Sequence, residues 1–235
     1  MSFYENRILP YLLEATMSGE EMVALRKATL AEVAGEVLEI GFGTGLNLPH
    51  YPAAVSRLTI VDPNEGGLRF VQRRIGAAPF EVKTQVLSGE NLPMAAESFD
   101  CVVSTFTLCT IPDVTKAMGE IWRVLRANGR FHFVEHGLSN EPQVQKWQHR
   151  LTPLQKLVAG GCHLNRNMRE LVTAQFAKVE MREGYWQEGG KLAGYLYQGV
   201  AQKACYRPFL LSLLLPLLTT LFTLSNLLAF SLSTA

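Results

Sequence analysis

Short apolar runs alternate with helical patterns through most of this chain, and this alternation restricts its fold more than any other feature. Strands separated by helices form βαβ units, whose right-handed crossovers build a parallel sheet covered by helices. The last two runs have no long helix between them, so they predict an antiparallel end to the sheet. The sequence therefore predicts an α/β fold, a three-layer sandwich around a mostly parallel sheet. Its seven strands are expected at Val37–Ile40, Leu58–Val61, Val82–Leu87, Cys101–Ser104, Phe131–Glu135, Lys178–Tyr185 and Leu192–Val200.

Helical patterns fill the intervals between these runs. The clearest covers Asp113–Arg126, with Asp113 as the N-cap and a turn at Asn128–Gly129 before the next strand. Its apolar face is formed by Val114, Ala117, Met118, Ile121, Trp122 and Leu125. Further helices are expected over Phe3–Val33 (with breaks at Pro10 and near Ser18–Gly19), Glu65–Ile75 and Asn167–Phe176.

The carboxyl-terminal segment differs in composition from the rest of the chain. Pro208–Ala235 contains 28 residues and no ionisable side chain, and Phe209–Leu232 has 16 apolar residues among its 24. About 20 mostly apolar residues are enough for a helix to cross the hydrocarbon core of a bilayer. Lys203 and Arg207 lie upstream, which would keep the main domain cytoplasmic. We expect a hydrophobic helix that associates with a membrane, either spanning it or lying in its interface. Burial of this helix against a partner subunit is the alternative.

Charge and cysteine content exclude several classes of function. With 22 Lys and Arg against 21 Asp and Glu, the net charge of +1 gives no support to nucleic-acid binding. Four cysteines in 235 residues do not form a disulfide framework, and the domain is expected in a reducing compartment. There is no C-x-x-C spacing, and no metal site is expected. Cys109 and Cys162 are interpreted as small buried apolar residues.

The segment VLEIGFGTGLNLP runs from a strand directly into a glycine-rich loop, and a helix is predicted to follow it. Glycines at Gly41, Gly43 and Gly45 let the backbone turn sharply and approach a ligand closely. Their G-x-G-x-G spacing differs from the G-x-G-x-x-G of dinucleotide-binding proteins. Asp62 ends the second strand, where a carboxylate can accept both hydroxyls of an adenosine ribose. A helix N-cap before Glu65 is the alternative role for Asp62.

Two further polar features lie at the same edge of the predicted sheet. Glu39 lies within the first strand, where a lone charge is costly without a partner. It either pairs with an Arg or Lys, or faces the loop and helps to hold a cationic ligand. The segment SGENLP, Ser88–Pro93, follows the third strand, and its polar groups would flank an adenine ring.

Together, E-x-G-x-G-x-G, the Asp after the second strand, and GENLP followed by SFD resemble the class I S-adenosylmethionine-dependent methyltransferases over residues 36–136. The resemblance implies a Rossmann-like fold and S-adenosylmethionine as the cofactor. Many relatives carry an Asp at the position of Ser88 to meet the adenine amine, so adenine recognition would fall to Ser88, Gly89 and Glu90. The full set of predicted cofactor-binding residues is Glu39, Gly41, Gly43, Gly45, Asp62, Ser88, Gly89, Glu90 and Thr105.

A narrower resemblance concerns the acceptor. The segments GTGLNLPHYP, VDPN, SGEN, TFTLCTIPD, VLRANGRFHFVEH and GCHLNR are similar to membrane-associated methyltransferase-like proteins that methylate alkyl thiols, and to their bacterial relatives. This resemblance implies a small, lipophilic acceptor, with a thiol favoured and a phenol, a quinone precursor or a lipid amine left open. Known animal members carry their membrane anchor at the amino end, whereas this chain has a hydrophobic tail at the carboxyl end.

His136 follows the fifth strand at the glycine-loop edge and is the candidate catalytic base, because an imidazole titrates near neutral pH. A histidine hydrogen-bonded within a loop is the alternative, and His163 is a second candidate base. Arg166 is expected either to contact an acidic group of the substrate or to form a surface ion pair. The insertion Ser139–Val158 is the natural lid over the strand ends, although Trp147, His149 and Leu154 within it could instead be core.

These observations divide the chain into three parts. An amino-terminal helical cap covers residues 1–34, the methyltransferase domain covers 35–202 with a lid at 139–166, and a membrane-associating tail covers 203–235. Two other functions stay open at this point: a nucleotide-dependent oxidoreductase, and a non-catalytic scaffold that keeps the cofactor pocket.

Overall fold

The computed structural model describes residues 3–186 and 190–204, which form a single seven-stranded sheet with helices on both faces. The strands are β1 Gly35–Ile40, β2 Val55–Val61, β3 Glu81–Gln85, β4 Phe99–Thr105, β5 Leu125–His136, β6 Lys178–Tyr185 and β7 Tyr195–Gln202. The helices are α1 Phe3–Arg7, α2 Leu9–Met17, α3 Glu20–Leu30, α4 Leu68–Ile75, α5 Val114–Val124, α6 Pro142–Val158 and α7 Met168–Gln175.

The sheet has the order β3-β2-β1-β4-β5-β7-β6, and its first five strands are parallel. β7 is antiparallel to both β5 and β6, as the sequence predicts. The order reverses at β1, which pairs with β2 on one side and β4 on the other. Ligands of open α/β sheets bind outside the carboxyl ends of the strands at such a point.

Alternate residues of the buried strands pack into two separate cores, which makes the sandwich three layers deep. Leu38 of β1 packs with α5 and α7 on one face, whereas Val37 packs with α3 and α4 on the other. Complete burial of each large apolar side chain in these cores contributes about 1.5–3 kcal/mol to the hydrophobic driving force. This architecture confirms the predicted Rossmann-like sandwich.

Helix α5 begins and ends where the sequence predicts, for the expected reasons. The carboxylate of Asp113 accepts a hydrogen bond from the backbone N–H of Lys116, 3.0 Å away, and so caps the helix. After Val124 the chain enters β5, and Asn128 takes a left-handed conformation with φ of 64°. The β4–β5 register shifts there, which is the turn expected at Asn128–Gly129.

Two predictions about local structure are wrong. No α-helix follows the glycine loop: Leu48–His50 forms a single 3₁₀ turn, because Pro49 and Pro52 leave no room for a run of helical hydrogen bonds. The insertion does form a helix, α6, but Trp147, His149 and Leu154 are exposed on it rather than part of the core. Its buried residues are instead Val144, Gln148 and Thr152, two of which are polar.

The predicted hydrophobic helix in the carboxyl-terminal tail lies outside the described residues. Among residues 3–186 and 190–204, no helix combines the length and the apolar character needed to cross a bilayer.

Candidate functional site

The glycine loop leaves the carboxyl end of β1 and turns through three left-handed residues. Gly41, Gly43 and Gly45 have φ angles of 72°, 52° and 80°, a region that L side chains rarely adopt. A Cβ on Gly41 would overlap the side chain of Thr107, whereas a Cβ on Gly43 would meet no atom within 4 Å. Space for a ligand therefore lies in front of Gly43.

Asp62 lies directly beside this loop. Its carboxylate accepts hydrogen bonds from the backbone N–H of Gly43 at 3.0 Å and of Asn64 at 2.8 Å. Burial raises the pKa of Asp62, although these two hydrogen bonds act to lower it. The N-cap alternative for Asp62 is wrong, because Asn64 caps the turn at Glu65–Gly67 by accepting from the N–H of Gly66.

Glu39 lies below the loop, fully buried, and its two carboxylate oxygens have different partners. Oε1 accepts from the side-chain amide of Asn47 at 2.8 Å, and Oε2 accepts from the hydroxyl of Tyr51 at 2.8 Å. Burial raises the pKa of Glu39 to about 7. Because both oxygens bond to other side chains of the protein, the geometry favours a structural role for Glu39 over direct contact with a cationic ligand.

The same network includes a buried arginine and the end of β4. Arg26 of α3 donates to Asn47 Oδ1 at 2.9 Å and to Thr105 Oγ1 at 3.3 Å, and Asn47 also donates to Thr105. Thr105 is therefore tied to the loop through Asn47. Arg26, Asn47 and Tyr51 were not identified from the sequence, although a carboxylate within a buried strand signals that donors of this kind must exist.

The segment after β3, which contains Ser88, Gly89 and Glu90, lies against the end of β1. A Cβ on Gly89 would lie 2.8 Å from a side-chain carbon of Ile40. Ser88 Oγ donates to Glu90 at 3.0 Å, and the other oxygen of Glu90 accepts from the backbone N–H of Asp113 at 2.5 Å. Glu90 thus fixes this segment to the start of α5, and its carboxylate is held by the protein.

The end of β5 carries a buried cluster of His136, Cys109 and Cys162. Nε2 of His136 lies 2.9 Å from Sγ of Cys162, and Nδ1 of the same ring is buried with no hydrogen-bond partner among the described residues. One ligand atom from each side chain lies within 4.8 Å of the others. A metal ion bound to both groups would hold nitrogen and sulfur about 3.5 Å apart, given bonds of about 2.0 and 2.3 Å. The observed 2.9 Å is a hydrogen-bond distance, so we interpret the cluster as hydrogen-bonded.

Each side chain of this cluster affects the protonation of its neighbours. The adjacent Cys109 thiol lowers the pKa of the Cys162 thiol, and His136 lowers it further against the opposing effect of burial. Burial alone would lower the pKa of His136, but the partnership with Cys162 raises it. The interpretation of Cys162 as a small apolar residue is therefore wrong in one respect: it is buried, yet its sulfur is a hydrogen-bonding group.

Hydrogen bonds to the backbone hold the cluster in place. They involve His163 and Arg166, two residues that the sequence analysis considered for the site. His163 donates from both its backbone N–H and its ring Nδ1 to the carbonyl of Cys109, at 2.9 and 3.1 Å. Arg166 donates to the carbonyl of Leu108, and its own carbonyl accepts from Leu138 N–H at 2.7 Å. Both side chains thus position the loop that carries Cys109.

Thr107 connects this cluster to the glycine loop. Its hydroxyl donates to the carbonyl of Gly41 at 3.1 Å, and its backbone N–H donates to Glu135 at 3.0 Å. The predicted cofactor residues and His136 therefore lie on one edge of the sheet.

Helices from the predicted cap and lid contact the loops at this edge, directly or through one intervening side chain. Arg74 donates to the carbonyl of Thr44 in the glycine loop at 2.5 Å and pairs with Glu14 of α2. On the other side, the buried Gln148 of α6 donates to the carbonyl of Gly137 at 3.0 Å and accepts from Ser139 N–H at 2.9 Å.

Comparison with known proteins identifies the family. Residues 38–133 match the model of the methyltransferase domain family. The human thiol S-methyltransferase TMT1A is 34% identical over 188 residues, which cover 73% of this chain and 76% of that protein. The rat thiol S-methyltransferase TMT1B is 36% identical over 169 residues, covering 68% of this chain and 66% of that protein. The chain belongs to the class I S-adenosylmethionine-dependent methyltransferases. The oxidoreductase and scaffold alternatives receive no support from these relatives.

Solved structures agree with the fold of this methyltransferase. The N-methyltransferase NodS from Bradyrhizobium japonicum, in complex with S-adenosylhomocysteine, has a TM-score of 0.62 at 16% identity, covering 85% of this chain and 94% of that one. A methyltransferase from Thermotoga maritima has a TM-score of 0.61 at 16% identity, covering 85% of this chain and 97% of that one. At this identity the likeness concerns the fold alone.

The glycine-loop edge fits S-adenosylmethionine, the cofactor of the family. The open space at Gly43 leaves room for a ligand to contact the loop backbone. Each Asp62 oxygen accepts one backbone hydrogen bond and keeps a lone pair for a ribose hydroxyl.

Proposed function

We propose that this methyltransferase transfers the methyl group to a small, lipophilic thiol. The observation that carries the proposal is His136, whose buried Nδ1 has no hydrogen-bond partner within the described residues and which lies at the cofactor edge of the sheet. A buried polar atom without a partner costs about 1–3 kcal/mol, which a bound acceptor would offset. Relatives named thiol S-methyltransferases support the choice of a thiol.

In the proposed site, the glycine loop and Asp62 hold the cofactor, and Ser88, Gly89 and Glu90 border its adenine. Of these, Asp62 makes the polar contact on which affinity depends most, because it is a half-buried carboxylate that can accept hydrogen bonds from neutral hydroxyls. Glu39 and Thr105 act indirectly, since their side chains brace the loop through Asn47.

The bound cofactor supplies an electrophilic methyl group on a sulfonium sulfur. The protein holds the acceptor in line with that group, and alignment of this kind is worth about 7–11 kcal/mol of barrier. A thiol is a poor nucleophile until it loses its proton. His136 takes that proton, a step that contributes about 10²- to 10⁴-fold in rate.

We also propose that the domain works at a membrane surface. The apolar tail at 208–235 supports this, and so does α6, which exposes Trp147, Leu154, Leu157 and Val158 to solvent. Helix α6 carries three cations, Lys146, Arg150 and Lys156, and no acidic residue, a pattern suited to anionic headgroups.

A matched acceptor series tests the chemistry. Octanethiol, octanol and octylamine share one apolar chain, so a preference among them reports the reacting atom. We expect the thiol to be methylated fastest, and His136→Gln to slow thiol methylation at least about 100-fold. His149→Gln, at an exposed histidine on α6, is the control and should behave as the wild type. Faster turnover of the amine, unaffected by His136→Gln, would refute the thiol proposal.

Flotation of the full chain with phosphatidylglycerol vesicles tests the membrane proposal. Leu157→Glu, at a side chain that is 78% exposed on α6, should reduce vesicle binding several-fold. Val86→Glu changes an apolar side chain that is 44% exposed and follows β3, and it should have no effect. Equal flotation of both variants and the wild type would exclude α6 as a membrane contact.

A further inference from the structure

We propose that Cys162 is a positioning residue for His136: its sulfur, as a thiolate, accepts the Nε2 proton of the ring and leaves the Nδ1 lone pair directed at the acceptor thiol. The proposal rests on the proposed function, because it assumes that His136 is the base. It assigns to a cysteine the part that a buried carboxylate plays beside the histidine of a serine protease.

The first argument is that the two ring nitrogens of His136 have different surroundings. Nε2 lies 2.9 Å from the Cys162 sulfur, whereas Nδ1 is buried and has no partner among the described residues. A neutral imidazole carries one proton, and the nitrogen that lacks it is the basic one. A thiolate at Nε2 draws the proton there, so the basic lone pair lies on Nδ1.

The second argument is the surroundings of the Cys162 sulfur, which suit an anion. Nε2 of His136 lies 2.9 Å from this sulfur, and Gln155 donates to it from Nε2 at 3.8 Å. The Cys109 thiol lies beside them and donates to the carbonyl of Phe106 at 3.6 Å. Two N–H groups therefore meet at one sulfur atom, and an anion there is stabilised by each of them.

The third argument is that the neighbouring carboxylate is not hydrogen-bonded to the ring. Glu135 precedes His136, but its Oε1 accepts from Ser104 at 2.7 Å and from Thr107 N–H at 3.0 Å, and its buried Oε2 has no hydrogen-bond partner among the described residues. No hydrogen bond joins it to the imidazole within the described residues. The guanidinium of Arg166 is the nearby cation, and it donates to the carbonyl of Leu108. Among the described residues, Cys162 is thus the side chain that is hydrogen-bonded to the ring.

The chemical step balances with the acceptor thiol and the sulfonium alone. The acceptor S–H bond breaks and its proton moves to Nδ1, so the ring becomes an imidazolium beside the Cys162 thiolate. A lone pair of the acceptor sulfur forms the new bond to the methyl carbon. The electron pair of the broken C–S bond stays with S-adenosylhomocysteine, and the proton leaves Nδ1 for solvent after product release.

The pH profile of the full chain separates this role from a merely structural one. The groups that act on the pKa of His136 are Cys162, Glu135 and Arg166, and Cys109 lies in the same cluster. Removing the thiolate leaves a buried imidazole without its anion, so its proton is lost at lower pH. With Cys162→Ala we expect kcat for octanethiol to fall about 100-fold and the acidic limb of the kcat profile to move down by at least one pH unit. The KM for S-adenosylmethionine should not change.

Two further variants make the test decisive. Cys162→Asp restores an anion and should return the acidic limb towards its wild-type position, whereas Cys162→Ser offers a neutral acceptor and should not. Cys101→Ala is the matched control, because Cys101 is equally buried and lies 3.8 Å from a different ring, that of His132. It should leave the profile unchanged. If Cys162→Ala does not fold, the comparison of Asp with Ser decides.

Three results would overturn the proposal. One is a wild-type profile in Cys162→Ala, and another is an identical shift in Cys101→Ala. The third is stoichiometric zinc in the purified full chain that is lost in Cys162→Ser, since a metal would then occupy Nε2. If His136→Gln leaves thiol methylation intact, the proposed function itself fails, which is a separate outcome.

Discussion

Replacing Gly43 by alanine is expected to weaken cofactor binding while leaving the fold nearly intact. Its φ of 52° costs alanine about 1–2 kcal/mol, part of which is offset by the lower entropy of the unfolded chain. The added Cβ meets no protein atom within 4 Å, so packing adds no further cost. In a chain of this size, 1 kcal/mol shifts Tm by about 2–4 °C, and we expect a shift in that range.

The effect on the ligand should be larger than the effect on stability. If the cofactor passes over Gly43, the new methyl group overpacks the contact at a cost of about 1–3 kcal/mol. This corresponds to a Kd for S-adenosylhomocysteine raised about 5- to 150-fold.

For Gly41→Ala we expect the larger loss in stability rather than in cofactor affinity. Its Cβ would lie 2.1 Å from both Cγ2 and Oγ1 of Thr107, whose hydroxyl donates to the carbonyl of Gly41. A branched side chain cannot rotate both atoms away, so the loss falls on folding, at about 2–5 kcal/mol.

Isothermal titration with S-adenosylhomocysteine and thermal unfolding measure the two quantities separately. Gly76→Ala is the control, since its Cβ also meets nothing within 4 Å and it follows α4, outside the loop. If Gly43→Ala binds the ligand within twofold of the wild type, the open space at Gly43 is not the cofactor site.

Three further predictions concern single side chains. Asp62→Asn should raise the Kd for S-adenosylhomocysteine about 100-fold in the same titration, because an uncharged amide cannot accept both backbone hydrogen bonds and the ribose hydroxyls. Arg74→Ala should raise the KM for S-adenosylmethionine several-fold by releasing the carbonyl of Thr44, whereas the exposed Arg73→Ala should not. Burial lowers the pKa of His132 to about 4, so the unfolded chain binds the proton more tightly and stability falls as the pH drops from 6.5 to 4. The loss is about 3 kcal/mol, and urea unfolding of His132→Gln should show a flatter acid limb.

The fold could be predicted because each buried strand leaves a local signal. The run that becomes β4 is apolar on both faces, as a strand between two helix layers must be. Asp113 marks the start of α5, because its carboxylate accepts from the backbone N–H of Lys116, three residues later. The predicted Lys178–Tyr185 matches β6 without change. Such signals arise from neighbouring residues and are therefore readable in a single sequence.

The packing of α6 was harder to predict, because it breaks the rule that apolar residues face inwards. Gln148 is fully buried and bonds to backbone at Gly137, Ser139 and Leu192, while Trp147 beside it is 55% exposed. A single buried polar side chain such as Gln148 leaves no periodic pattern in the sequence.

The His136 cluster could not be predicted for a different reason. Cys109, His136 and Cys162 are about equally spaced along the chain and come from three separate segments, after β4, at the end of β5 and after α6. Only the pairing of β4 with β5 and the return of the chain after α6 bring their side chains together. Arg26 and Asn47 were not predicted for the same reason, because the fold brings them to Glu39 from separate segments.

Transfer of labelled methyl groups from S-adenosylmethionine to octanethiol by the detergent-solubilised full chain tests the central claim most directly. We predict one methyl thioether formed per S-adenosylhomocysteine released, with both products lost in Asp62→Ala. Cofactor binding without any methyl thioether, or thioether formation that survives Asp62→Ala, would contradict the account of this site as a thiol methyltransferase.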